Sequence, residues 1–342
     1  MMPAQQRGAT RLALTGLPAA LRGLLREEPV PDWCDPMLAT LTDQRFSDPR
    51  WIFERKFDGE RCLAFRDGDR VRLLSRNRQP LNGTYPELVD ALAAQPVCRF
   101  VVDGEVVAFE GRRTSFARLQ GRLGLTDPEA AVATGIPVFY YIFDLLHLDG
   151  KSTTKLPLLW RKKLLRSAFN FADPLRYTPH RVRDGVAAYR AACARGDEGV
   201  IAKLADAPYE GRRSRHWLKF KCVRDQEFVI GGYTAPKGSR VELGALLVGY
   251  YQGDDLVYAG KVGTGFDHAT LRRLHKRLSA IEQDRSPFTR GVLREAGTRW
   301  VRPELVAQIG FTEWTRDGKL RHPRYIGLRA DKSPKDVVKE TP

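Results

Sequence analysis

The 342-residue sequence predicts an α+β protein of two domains, a mixed α/β domain over residues 31–224 followed by a small β-barrel over residues 225–342. Three observations predict it. Strand-like and helical patterns intermix from Pro36 to about Arg224; the pattern then shifts to short strands between Gly- and Asp-rich turns; and one basic helical segment follows. The length suffices for two cores, and the 42% hydrophobic content fits a soluble globular chain.

Residues 1–30 are rich in Ala, Arg, Leu and Gly, and 11-RLALTGLPAALRGLLREE-28 has the pattern of a short amphipathic helix broken near Pro18. We assign this stretch to an N-terminal extension whose role its residues do not reveal. In the first domain 70-RVRLLS-75, 100-FVVDGEVVAF-109 and 137-PVFYYIFDLL-146 read as strands, and 86-PELVDALAAQ-95 and 184-DGVAAYRAACARG-196 as helices. In the second, 226-QEFVIGGYTAPKGSR-240 and 243-LGALLVGYYQGDDLVYAGKVGTGF-266 read as short strands around glycine turns, followed by the helix 268-HATLRRLHKRLSAIE-282. That combination suggests a barrel of the oligonucleotide-binding type.

The formal net charge of +16, from 57 Lys and Arg against 41 Asp and Glu, favours a polyanionic partner. Charge alone leaves nucleic acid and an anionic membrane surface both open. No apolar run approaches the ~18 residues needed to span a bilayer, so a cytoplasmic protein without a membrane partner is expected. The five cysteines are scattered without a C-x-x-C pair, which suggests neither a disulfide framework nor a zinc ribbon and points to a reducing compartment.

The stretch 53-FERKFDGER-61 places Lys56 between two carboxylates. In an extended chain Glu54, Lys56 and Asp58 share one face, while Phe53, Arg55 and Phe57 share the other. Taken alone, this reads as the ion-paired solvent face of an edge strand. Other segments also present charge from strand-like contexts. Lys219 and Lys221 in 216-HWLKFKC-222 share a face, and two ammoniums side by side call for an anion such as phosphate. Glu105 lies among Val and Phe in 101-VVDGEVVAF-109, and Glu198 precedes an apolar step to Lys203 in 197-DEGVIAKL-204; such carboxylates are costly unless they meet a metal or a donor. Phe139, Tyr141 and Phe143 alternate onto one face, as a core stripe or as a platform for a base. Together these residues form the inventory for attack on the α-phosphate of a nucleoside triphosphate. A lysine amine, with a free pKa of ~10.4, needs desolvation and neighbouring positive charge to become the nucleophile.

In order and spacing these segments resemble the nucleotidyltransferase motifs of ATP-dependent DNA ligases. The K-x-D-G-x-R signature reads as Lys56, Asp58, Gly59 and Arg61; 75-SRN-77, the D-G-E at 103–105, the F-D-L-L at 143–146, the E-G-V at 198–200 and the K-F-K at 219–221 follow in the family's order. The segments 36-PMLATL-41, 242-ELGALLVGYYQGDDLVYAGKVGTGF-266 and 300-WVRPELVAQIGFTEWTRDGKLRHPRYIGLRADKSP-334 bring the resemblance closest to the ligase module of bacterial end-joining ligases. The resemblance runs from about Pro36 to the C-terminus. It implies a nucleotidyltransferase (adenylation) domain and an OB-fold domain, ATP and a divalent metal (Mg2+ or Mn2+) as cofactors, and a monomer acting on nicked or broken duplex DNA at the bacterial nucleoid. It further implies partnership with the bacterial Ku end-binding protein and with separate polymerase and nuclease factors.

Position by position, the resemblance makes Lys56 the adenylated nucleophile, with Asp58 beside it, and Glu54 the reader of the adenine amino edge. Arg61 contacts the ribose and the 5′ phosphate of the nick, Arg76 lies near nucleotide and DNA, and Glu105 and Glu198 bind the ribose or the metal. Phe143 stacks on adenine, Lys203, Lys219 and Lys221 hold phosphates, and Arg329, Asp331 and Lys332 orient the pyrophosphate leaving group. The DNA-contacting helix corresponds to 115-SFARLQGRL-123, with Ser115, Phe116, Gln120 and Arg122 as contacts; it also reads as an ordinary surface helix.

An RNA ligase or a GTP-dependent capping enzyme would share the lysine chemistry. The R-x-D-K ending argues against the first and the S-F-x-x-L-Q helix against the second, while the intact charged set argues against a non-catalytic DNA-binding module. A chain of this charge should lose affinity for nicked duplex steeply as salt rises, because phosphate contacts release counterions. Titrations of labelled nicked DNA at several salt concentrations measure this, and a flat dependence would assign the charge another purpose.

Overall fold

The computed structural model describes residues 14, 16–222, 225–236, 242–291 and 297–340. The chain divides into two compact units, one ending at Cys222 and one beginning at Val223.

The first unit is built on two sheets. In one, the antiparallel strands Glu60–Asp67, Arg99–Val107 and Phe139–Leu148 form the centre, with Arg70–Ser75 at one edge and Lys151–Ser152 and Arg26–Glu27 at the other. Alternation sends Cys62, Ala64, Val102, Tyr140 and Ile142 to one face, where Leu88 and Leu92 of the helix Pro86–Ala93 and Leu164 and Leu165 of the helix Leu158–Ala168 cover them. Leu63, Phe65, Val101 and Phe143 go to the other face, so these strands are apolar on both sides, which explains their near-continuous hydrophobic runs.

The second sheet orders His180–Val182, Trp51–Lys56, Gly199–Leu204, Arg213–Lys221 and Leu38–Leu41 side by side. Phe53, Val200, Ala202 and Phe220 bury one face against Ala188 and Ala192 of the helix Gly185–Arg195. The opposite face is turned to the first sheet, and Trp217, Met37 and Tyr209 join that sheet's apolar residues between the two. The Lys56 strand is therefore internal, and the reading of its charges as the solvent face of an edge strand does not hold.

Two further expectations are corrected. The described residues of the stretch 1–30, read as an N-terminal extension of unknown role, contribute to the first core: Leu17 is buried there, Leu21 and Leu25 pack against it, and Arg26–Glu27 extends the sheet. The described helical part, Ala19–Arg22, begins directly after Pro18, whose missing N–H is harmless at a helix start; residues 11–13 and 15 lie outside the described residues. The cysteines, expected to be unpaired, include a disulfide between Cys193 and Cys222. Docking of the helix on the sheet brings residues 29 apart in sequence to a Cα separation of 5.2 Å, and no spacing rule signals that.

In the second unit the long strand Asp225–Thr234 pairs on one side with Leu246–Gln252, which continues into the hairpin strand Asp255–Val262. On its other side it pairs in succession with Val306–Gly310 and Thr298–Val301. Leu271, Leu274 and Leu278 bury one stripe of the basic helix His268–Ser279 in this unit's core. Arg324–Leu328 pairs with Val306–Gly310. Among the described residues no strand pair joins the two edges of this sheet. Residues 237–240 of the expected strand run lie outside the described residues.

Candidate active site

Sheet register assembles the charged residues. Glu54, Ile201 and Lys219 stand opposite one another across three strands, and Lys56, Gly199 and Lys221 form the next row. Opposed residues share a face, so Glu54, Lys56, Lys203, Lys219 and Lys221 all lie on the side turned to the first sheet. Register thus converts three separated sequence segments into one charged surface.

Lys56 ends its strand, and its Nζ donates to Glu198 Oε1, with both side chains largely buried. Glu198 sits directly before Gly199, which only glycine can fill: its φ is +151°, and a Cβ would lie 2.0 Å from the Phe220 carbonyl oxygen. Gly59 is constrained in the same way, since a Cβ there would meet the Val106 carbonyl oxygen at 2.2 Å. These close approaches hold the segments bearing Lys56 and Glu198 against neighbouring strands. Asp58 Oδ2 accepts the Phe116 backbone N–H at 3.2 Å, and Ser115 Oγ caps the same short helix, Phe116–Leu119.

Glu54 is 3% exposed and shared by two buried ammoniums, with Lys162 Nζ 2.5 Å from Oε1 and Lys203 Nζ 2.6 Å from Oε2. Burial pushes its carboxyl up, but the two ammoniums outweigh burial and leave it below the usual carboxylate range. For Lys203 burial dominates and, with repulsion from the Lys162 ammonium, lowers the amine despite the charge of Glu54. The Lys203 ammonium also lies 4.2 Å from the Phe143 ring centroid and 4.0 Å from that of Trp217.

From the facing sheet, Arg61 is held by Asp103 through two bonds of 2.6 Å and donates to the Met37 carbonyl at 3.1 Å. Its guanidinium lies 4.7 Å from the Phe143 centroid. Asp103 is fully buried, and its Oδ2 also accepts from the Tyr209 hydroxyl at 2.7 Å, which in turn accepts the Met37 N–H at 2.8 Å. Burial and then the Asp103 charge push the Tyr209 phenol well above its ordinary range, so it stays a donor. Glu105 stands opposite Arg61 and Tyr141 in register. Arg76 is half-buried just past the strand Arg70–Ser75. In the second unit Arg329 forms a two-bond pair with Asp331, and Lys332 lies 3.7 Å from Glu227.

Sequence reasoning missed Lys162, Asp103 and Tyr209. The K-K pair in 158-LLWRKKLLRSA-168 reads as the polar face of an amphipathic helix, whereas Arg161 and Lys162 are both buried, Arg161 in a fully buried pair with Asp144. Asp103 is the first residue of the D-G-E segment, which was named as a motif without a role for its aspartate. Arg122, expected at DNA, is 1% exposed and donates to Glu87 and to the carbonyls of Thr84 and Ile136. Phe116 is also buried in the first core, while Ser115 and Gln120 are half-buried.

A lysine amine bonded to a carboxylate between two sheets, with further lysines in adjoining rows and a second β-rich unit after it, defines a nucleotidyltransferase-type fold. Residues 36–221 match the family model of the ATP dependent DNA ligase domain, and residues 239–332 match that of the ATP dependent DNA ligase C terminal region. The chain belongs to the ATP-dependent DNA ligase family. It is 37% identical over 324 residues to the multifunctional non-homologous end joining protein LigD of Pseudomonas aeruginosa, covering 92% of this chain and 37% of that one. It is 32% identical over 305 residues to a DNA ligase of Thermococcus fumicolans, covering 83% and 53%. A solved structure of mycobacterial DNA ligase D complexed with ATP and MES superposes with a TM-score of 0.65 at 35% identity, covering 90% of this chain and 98% of that one. The chain spans well under two thirds of the length of these curated relatives.

Arg122→Ala should destabilise the first unit by about 3 kcal/mol, the cost of stripping buried acceptors of a charged partner. Its affinity for nicked DNA, measured under conditions where it stays folded, should match wild type. Unchanged denaturant unfolding with weakened DNA binding would restore Arg122 to the DNA surface.

Proposed function

We propose that this protein joins 3′-hydroxyl and 5′-phosphate ends in duplex DNA at the expense of ATP, through a lysyl-AMP at Lys56 and then a DNA-adenylate. The observation that carries the reading is the Lys56–Glu198 hydrogen bond in a sheet whose same row bears Lys221 and whose next row bears Lys219. Lys56 Nζ attacks the α-phosphorus, the bond to the β-phosphate oxygen breaks, and pyrophosphate leaves with the electron pair. The proton that Lys56 must lose lies on its bond to Glu198. AMP then passes to the 5′ phosphate, and the 3′ hydroxyl displaces it. Lys219 and Lys221 neutralise phosphate charge, and Arg61, fixed in place by Asp103, meets the ribose and the 5′ phosphate; positioning and charge neutralisation supply most of the catalysis.

Among the described residues no group of three or more His, Cys, Asp and Glu side chains is arranged to hold a metal ion. We read Glu105 and Glu198, carboxylates carried by the two different sheets, as the residues that would hold a hard cation such as Mg2+ or Mn2+, which takes one or two carboxylates and completes its shell with phosphate oxygens and water. Bound there, it would add positive charge at the phosphates.

Glu54 and Lys203 place an acceptor beside a donor, the complement of the adenine 6-amino group and N1. We therefore read Lys203 at the base rather than at the phosphates. Phe143 contributes an aromatic face to the same pocket. Arg329, Asp331 and Lys332 act on pyrophosphate, and the C-terminal unit serves as the oligonucleotide-binding fold. The names of the LigD relatives support a role in end joining; Ku and the polymerase and nuclease factors of end joining as partners, and the bacterial nucleoid as the place of work, belong to this reading on the sequence resemblance alone.

Lys56→Ala should abolish covalent labelling by AMP, read on denaturing gels after incubation with labelled ATP; wild-type labelling would remove Lys56 from its role. Asp331→Ala with Lys332→Ala should block that labelling yet leave closure of a pre-adenylated nick within roughly tenfold of wild type, about 1.4 kcal/mol in barrier. Equal losses in the two single-turnover assays would mean that the segment also serves sealing or holds its unit together.

A further inference from the structure

The reading above gives Glu54 and Lys203 a task and leaves Lys162 without one. Lys162 is 1% exposed, lies 2.5 Å from Glu54 Oε1 and donates to the Thr178 carbonyl at 3.0 Å. Lys203 alone would neutralise Glu54. The second ammonium gives the buried trio a surplus positive charge, which is costly where water is excluded.

The cost has a use if Lys203 is shared with a ligand. A nucleotide base that accepts a hydrogen bond from Lys203 draws that ammonium's charge away from Glu54. With no other partner, a buried carboxylate would then take up a proton and change from acceptor to donor. A 6-amino purine needs an acceptor at that position.

We propose that Lys162 is a positioning residue for base selection: anchored by the Thr178 carbonyl, it keeps Glu54 an acceptor while Lys203 engages the base, and so preserves preference for a 6-amino purine nucleotide. The inference rests on the reading of Glu54 and Lys203 as the base-facing pair. The groups facing Glu54 are Lys162 from the helix Leu158–Ala168, Lys203 from the neighbouring strand on one side and His180 from that on the other; Asp144 acts in turn on Lys203, and Arg166 on His180. His180 is itself lowered, first by burial and then by Lys162, so it adds little charge near neutrality. Without Lys162 one of the two influences that lower the Glu54 carboxyl is gone while the burial that raises it stays. Glu54 then protonates at higher pH, and selectivity in the variant is lost as pH falls.

The test is single-turnover self-adenylation with ATP and with purine riboside triphosphate, which lacks the 6-amino group, from about pH 6 to about pH 9. The full chain is used as wild type, Lys162→Met, Lys162→Arg and Glu54→Ala, with closure of a pre-adenylated nick as the check on folding. Lys162→Met should reduce the ATP preference about tenfold, more at the acid end, with Lys162→Arg keeping most of it and nick closure near wild type in both. If Glu54→Ala loses the preference while Lys162→Met keeps it at every pH, the inference is wrong and the base reading stands. If Glu54→Ala keeps it too, the base reading itself fails. Equal loss with both nucleotides, together with failed nick closure, would make Lys162 a support of the fold and overturn the proposal.

Discussion

Charge buried between two sheets is the constraint on which the first unit depends. Glu54, Asp103 and Asp144 are each almost wholly removed from water, and each is met by cations that are buried or nearly so: Lys162 and Lys203, Arg61, and Arg161. Losing one member of such a pair costs several kcal/mol, because the other is left uncompensated. The pairs therefore require both sheets and the helix Leu158–Ala168 to be in place together. Rigidity follows from the same arrangement: Arg61 is tied to Asp103, to the Met37 carbonyl and to the Phe143 ring, so its guanidinium is set before any ligand arrives.

Close backbone approach is the second constraint. Gly59 and Gly199 lie against carbonyl oxygens of adjacent strands at distances no side chain would allow. They flank the two residues whose bond defines the site, Lys56 and Glu198. Glycine in both motifs thus reflects strand packing as well as any demand of a bound phosphate. The K-x-D-G-x-R signature is half chemistry and half steric fit.

The two faces of the Lys56 strand divide the labour. Phe53 and its neighbours on the adjoining strands bind the helix Gly185–Arg195 through apolar packing, and the disulfide Cys193–Cys222 joins that helix to the end of the strand bearing Lys219 and Lys221. The charged face carries the site. A β-strand makes this separation automatic, since successive side chains point to opposite sides. One internal strand therefore supports both the core and the chemistry.

That alternation is why much of the site was legible in the sequence: period two placed Glu54 with Lys56 and Lys219 with Lys221, and the order of charged motifs named the family. Both are local properties of the chain. What the tertiary structure decided was every pairing between segments. Packing of the strands set Lys56 beside Glu198 and Lys203 beside Glu54. Helix docking turned Lys162 inward from a face that reads as solvent-exposed, buried Arg122, and joined two cysteines that no spacing pairs. The N-terminal stretch joined the first core for a similar reason, since its leucines have no periodic signal strong enough to reveal which surface they will cover. A sequence fixes which way a side chain points along its own strand or helix; which partner stands opposite depends on how distant segments pack, and local periodicity carries no information about that.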